Sequence, residues 1–225
     1  MNTPVGGPTP AAPTDMLIDR YLPRFDVTLI EHMVVDADVA TTWQALRKLD
    51  LMQVHTPLVD AALFVRGVPA RLGARLGRKG PDKPQPPRLT LTGDGLGLEG
   101  WLSLGESAER EIAFGAVGRF WQPDIQWYDV STMTPQQFAT FAEPGWGRTA
   151  ANFSLRPYGT PRTLASYEAR TATGDPESTR RFARYWLLVR PFVRYIMRAA
   201  LDALRLDAER QEARRPAQAP PNGHG

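Results

Sequence analysis

Arg180-Arg181-Phe182-Ala183-Arg184-Tyr185-Trp186-Leu187-Leu188-Val189-Arg190-Pro191-Phe192-Val193-Arg194-Tyr195-Ile196-Met197-Arg198-Ala199-Ala200-Leu201-Asp202-Ala203-Leu204-Arg205 has one period throughout. At about 100° per residue, Phe182, Tyr185, Trp186, Val189, Phe192, Val193, Ile196, Ala200, Ala203 and Leu204 fall within an arc of about 120°. Arg180, Arg184, Arg190, Arg194, Arg198 and Arg205 fall opposite. This is a long amphipathic helix, and each large side chain it buries contributes about 1.5–3 kcal/mol gross. Such a helix must lie on an apolar surface. Pro191 sits on the polar side and removes the bond to the Leu187 carbonyl, so a bend is expected there rather than a break.

Outward from this helix the rhythm is that of strands. Thr163 to Thr173 and Gly147 to Arg156 read as two long strands joined by the turn Tyr158-Gly159-Thr160-Pro161. Glu111 to Gly118, Leu98 to Leu104 and Gln126 to Val130 read as further strands, with a short helix over Pro135 to Phe141. At the start, Phe25, Val27, Leu29, Met33 and Val35 share one strand face with Glu31 among them. Asp36 or Asp38 then caps a helix carrying Val39, Trp43 and Leu46. Residues 54–77 read as short helices. Strand, short helices, a run of antiparallel strands and a long C-terminal helix make an α+β order, with a curved antiparallel sheet wrapped around that helix and a cavity between them.

Composition bounds the chemistry. The chain has 225 residues, 27 basic and 24 acidic side chains, three histidines and no cysteine. Disulfides, thiolate catalysis, iron–sulfur clusters and cysteine zinc sites are excluded, and no cofactor is expected. A net charge of +3 is too small to suggest nucleic-acid binding, and the helix aromatics lie on the side expected to be buried. No apolar run reaches the roughly 18–20 residues of a membrane span. Met1 to Asp15 has neither apolar periodicity nor a basic-then-apolar run, so a cytoplasmic protein is expected. The expected organisation is a disordered leader over 1–20, one domain over 21–211 with a mobile proline-rich loop at 78–90, and a disordered tail over 212–225.

Three stretches carry a family resemblance. Val35-Asp36-Ala37-Asp38-Val39-Ala40-Thr41-Thr42-Trp43-Gln44-Ala45-Leu46 follows the strand-to-helix pattern of the START/polyketide-cyclase (SRPBCC) superfamily, with Asp38 where proline is usual and Thr42 where valine is usual. Gly115-Ala116-Val117-Gly118-Arg119-Phe120-Trp121 and Tyr185-Trp186-Leu187-Leu188-Val189-Arg190-Pro191 are similar to stretches of its uncharacterised bacterial members. The resemblance covers roughly residues 21–210 and implies the helix-grip fold, with a cavity for a hydrophobic or amphipathic molecule. It implies no single activity, because carriers, receptors and cyclases share that fold.

Several residues are candidates for the site. Glu31 lies on an apolar face, where a carboxylate needs a partner or a raised pKa, and His32 points the other way. These two are the candidate acid–base residues. Asn152, Glu168 and Arg170 break the late strands, and they orient a polar ligand head if their face lines the cavity. The plainer reading is a solvent-side ion pair. Arg119 beside Trp121 is placed to stack or to bind a carboxylate, and Trp186 lines the cavity from the helix. Gly95-Leu96-Gly97-Leu98-Glu99-Gly100 fits the glycine string of dinucleotide sites but runs into a strand, so it reads as a loop.

Three functions remain open. The first is non-catalytic binding of a small hydrophobic or amphipathic ligand by a monomer or weak homodimer. The second is a cyclase or dehydratase using Glu31 or His32, and the third an interaction module using the arginine face of the last helix on membranes or acidic partners.

Overall fold

The computed structural model describes residues 16–49 and 100–215. Its elements run α1 (Leu17–Tyr21), β1 (Val27–Val35), α2 (Val39–Lys48), β2 (Trp101–Ser107), β3 (Glu111–Gly118), α3 (Pro135–Thr140), β4 (Gly147–Pro157), β5 (Thr163–Thr173) and α4 (Pro176–Ala213). The strands form one curved antiparallel sheet in the order β1-β5-β4-β3-β2. The order closes the first strand against the last, and α4 then returns over one face. The expected short helices at 54–77 and the loop at 78–90 lie outside the described residues.

Each face of the sheet has its own core. On the inner face, Ile112, Phe114, Ala151, Phe153, Leu155 and Ala165 pack against Trp43 and Leu46 of α2 and Ala200, Leu201, Leu204 and Ala208 of α4. On the outer face, Leu102, Leu104, Ala113, Val117 and Ala150 meet Ile18, Tyr21, Leu22 and Phe138. Strand alternation alone produces this division, since successive side chains leave opposite faces. Gly115 is required on the outer face, where a Cβ would come within 2.9 Å of the Phe138 ring.

Residues 16–20 are not a leader. Ile18 is fully buried, and a carboxylate holds the start of α1. Glu111, 1% exposed, accepts the backbone N–H of Leu17 at 2.7 Å and of Ile18 at 3.2 Å. It also accepts Asn152 Nδ2 at 2.6 Å. Five residues are too few to show a period, so a distant acid supplies what local sequence lacks. The C-terminal boundary moves as well. α4 runs to Ala213, and Arg215 meets the Asp38 carboxylate at 2.6 Å. Asp38 also caps α2 by accepting the Thr41 N–H at 2.7 Å, a bond that holds its carboxyl below the usual range.

Gln126–Val130 is not a strand. It touches the sheet through a single bridge, Gly118 to Trp127. The Trp127 ring lies against Gly118 and fills the place a Cβ on Gly100 would need, while a turn bonded from Ser131 N–H to Asp129 Oδ1 (3.0 Å) leads the chain away. Gly100 has φ +76, and β2 follows it directly. The last glycine of the string therefore serves a turn and a close ring contact.

Asp175 starts α4. Its carboxylate accepts the N–H of Glu177 and of Ser178, each at 2.9 Å, and of Gly145 at 2.6 Å. The helix passes through Pro191 unbroken. Its buried side turns along its length. Ser178 and Phe182 are buried at one end, Met197, Ala200, Leu201, Leu204 and Ala208 at the other, and no residue from 183 to 196 is fully buried. Phe192 and Ile196, expected inside, are 47% and 40% exposed. At 3.6 residues per turn, Met197 lies about 60° away from Phe182, because the twisted sheet rotates beneath a straight helix.

Two outcomes follow for stability. Ile18→Ala and Met197→Ala should each lose about 2–5 kcal/mol in chemical denaturation, and Phe192→Ala less than about 1 kcal/mol. Equal losses at 192 and 197 would put α4 in a different phase. The Asp175 carboxyl is held well below the usual range, first by the Ser178 hydroxyl and then by the Gly145 and Ser178 N–H groups. A depressed folded-state pKa adds stability that is complete above the unfolded value of about 3.9 and is lost as pH falls through the folded value. The Tm gap between wild type and Asp175→Ala should therefore be constant at neutral and mildly acid pH and narrow only in strong acid.

Candidate functional site

The inner face carries a continuous belt of rings, one from each of four strands. Tyr167 of β5 stacks on Phe153 of β4, with centroids 4.1 Å apart and planes at 24°. Phe114 of β3 stands 6.4 Å from Phe153, and Trp101 of β2 stands 5.6 Å from Phe114. The belt continues from Trp101 to Trp127 at 6.2 Å, to Phe120 at a further 6.0 Å and to Phe182 of α4 at 6.4 Å. Trp186 stacks on Phe182 at 5.9 Å. The separations suit aromatic pairs. The belt thus crosses the sheet and climbs onto the helix where α4 is least buried.

Its polar end is Tyr167. The side chain is half-buried, and its hydroxyl forms no hydrogen bond among the described residues. Burial pushes the phenol well above the ordinary tyrosine value, so the group remains a donor at all ordinary pH. Directly across the ladder from Tyr167 lies Glu31. Glu31 is 8% exposed, and both its oxygens are engaged. Oε1 meets Arg194 Nε and Oε2 meets Arg198 Nε, each at 2.7 Å. The two arginines are one helical turn apart on α4, so one carboxylate on β1 grips two successive turns.

The other sequence candidates lie elsewhere. His32 points to the outer face and shares a hydrogen bond with Ser166 Oγ at 2.7 Å. Asn152 is on that face too, bonded to Glu111. Glu168 and Arg170 do share a face with Leu164 and Ser166, and it is the outer one. Arg170 meets Glu168 at 2.6 Å and Asp19 at 2.8 Å, donates to the Leu22 carbonyl and lies 4.9 Å over the Phe25 ring. It fastens the segment after α1 to the sheet. Arg119, beyond the end of β3, stacks 4.5 Å over Trp146 and donates to Gln126 Oε1 at 2.9 Å. Trp121 packs edge-on against Phe182. Only Glu31 and Trp186 of the candidates border the belt on the inner face, with Trp121 at its far end. The rings of Trp101, Phe114, Phe153 and Tyr167 were missed. One parity step along the last strand, from Glu168 to Tyr167, would have found them, since charged residues drew attention to the wrong face.

Among the described residues no group of three His, Asp or Glu is placed to hold a metal, and no helix is long and apolar enough to cross a membrane. No family model and no curated protein matches the chain. Solved structures do resemble it in outline. A hypothetical protein from Helicobacter pylori is 9% identical, covering 92% of this chain and 99% of its own, with a TM-score of 0.41. A protein from Nitrosospira multiformis is 12% identical, with coverages of 84% and 100% and a TM-score of 0.39. CalU16 from Micromonospora echinospora is 12% identical, with coverages of 83% and 85% and a TM-score of 0.28.

Because Glu31 joins β1 to α4, Glu31→Gln should lower stability by about 1–3 kcal/mol, leaving two guanidinium groups with a weaker acceptor. Arg194→Ala, on the side of the helix that the sequence reads as polar, should lower it measurably but by less than about 1 kcal/mol, because solvent screens its exposed side chain. A Glu31→Gln protein at least as stable as wild type in urea denaturation would show that burial of the carboxylate outweighs its two ion pairs.

Proposed function

We propose that this protein is a helix-grip binding domain of the SRPBCC kind, which holds a small hydrophobic or amphipathic molecule between its sheet and α4 without transforming it. The observation that carries the reading is the Tyr167 hydroxyl, a protonated donor with no partner among the described residues at the end of a belt of rings. A ligand with an apolar body would lie against the partly exposed rings of Trp101 and Tyr167, which Phe114 and Phe153 back from within the core, and its oxygen would accept the Tyr167 proton. Polar groups on an apolar wall are what orient a ligand in such pockets. The middle of α4, where Trp186 and Tyr185 are only half-buried, is the side from which such a molecule would enter.

Non-catalytic binding is preferred over a cyclase or dehydratase because each oxygen of Glu31 accepts a guanidinium bond and His32 faces outward. Neither can reach a substrate proton while so engaged.

Mass spectrometry of the purified protein should detect a co-purifying small molecule, and anilinonaphthalene sulfonate should fluoresce when added to the emptied protein. Tyr167→Phe should weaken retention of the co-purified molecule about 3–10-fold, the worth of one hydrogen bond. Ala169→Phe, which fills the inner face beside Tyr167, should abolish probe binding while the protein still folds. Undiminished probe binding in Ala169→Phe, with its circular dichroism intact, would move the ligand away from the belt.

A further inference from the structure

The outward side of α4 between Arg180 and Phe192 has a composition found on no other described surface. Leu187 and Leu188 are 76% and 74% exposed, the most exposed large apolar side chains among the described residues. Pro191, one turn beyond Leu187, extends the same crest, and half-exposed Phe192 borders it. From Pro176 to Leu201 the helix carries six arginines and one acid, Glu177. Arg181 is paired with that acid, and Arg194 and Arg198 with Glu31. Arg180, Arg184 and Arg190, which surround the leucines, have no partner among the described residues. Farther along α4, Arg205 and Arg210 each meet a carboxylate of their own helix. Charges are therefore neutralised along the helix except around the apolar crest.

Leu187 and Leu188 are adjacent and Pro191 extends them, so they form a contiguous apolar patch of the kind that marks an interaction site rather than scattered surface residues. A surface complementary to this one must be negative at its boundary and apolar just beneath. We propose that α4 docks lengthwise on an anionic lipid bilayer, with Leu187 and Leu188 entering the headgroup boundary and Arg180, Arg184 and Arg190 against lipid phosphates. An amphipathic helix lying in the interface uses this arrangement, with apolar area and basic charge acting together. The opposite side of the same turns carries Phe182 and Trp186, so docking leaves the ring belt facing the sheet. The inference needs only the outward face and does not rest on the ligand reading.

The test is co-sedimentation of the full chain with vesicles of phosphatidylcholine, alone or with about a third phosphatidylserine. Binding is expected only to the anionic vesicles and should fall as salt rises. Leu187→Asp/Leu188→Asp should weaken it by at least about tenfold, and Arg180→Glu/Arg184→Glu/Arg190→Glu by about fivefold or more per position. Lys48→Glu, exposed on α2, should change it little. Thermal denaturation and light scattering of each variant complete the set. Loss of vesicle binding with Tm and solution mass unchanged supports the proposal. It is overturned if the wild type ignores anionic vesicles, or if the aspartate variant still binds them. A lower Tm in the aspartate variant overturns it by assigning the leucines to a contact within the chain. A wild-type dimer that the aspartates convert to monomer overturns it by assigning them to a second copy.

Discussion

The length of α4 constrains everything else. Thirty-eight residues of helix extend about 57 Å. The sheet it crosses is five strands wide, roughly 19–24 Å, and its longest strands of 11 residues reach about 36 Å. No sheet of this size can cover such a helix from end to end. The helix is held near its start by Phe182 against Phe120 and Trp121, and over its last turns by α2 and the aliphatic half of the inner face. Between the two anchors the only ion-paired tie to the sheet among the described residues is Glu31 with its two arginines. The ring-lined inner wall and the leucine crest are two sides of that lightly held span.

Two buried carboxylates show how differently one charge can be used. Glu31 is satisfied by guanidinium groups that remain partly in water, so the pair ties two elements together without fully desolvating either arginine. Glu111 is satisfied by two backbone N–H groups and an amide. Its bonds ask nothing of the side chains at Leu17 and Ile18 beyond the absence of proline, whereas the bonds of Glu31 require arginine geometry.

Elements with strong alternation and clear punctuation were legible in the sequence. Glu111–Gly118 and Thr163–Thr173 emerge with the expected bounds, and Asp38 caps the helix before Trp43. The parity of β1 correctly put Glu31 inside and His32 outside. What was not legible depends on partners far along the chain. α1 has no signal of its own because its cap stands 94 residues away from Leu17. The choice of face on β5 cannot be read from one strand, since Tyr167 and Glu168 become inside and outside only when β1, β4 and α4 are in place. The phase of α4 slips at Phe192 and Ile196 for a similar reason, because the surface beneath it twists, while Ala200 and Leu204 are buried as expected.

The cap on α1 also sets an order of events during synthesis. Leu17 and Ile18 leave the ribosome long before Glu111, and Asn152, which steadies that carboxylate, comes later still. At about 5–20 residues per second, the N-terminal segment waits roughly 5–20 seconds for its acceptor. Through that interval Ile18, Tyr21 and Leu22 have no outer face to cover, because the strands that form it have not been made. These early residues are therefore among the last to find their place, and a nascent chain stalled before β4 would present them, still apolar and unpaired, to whatever binds unfolded chains in the cell.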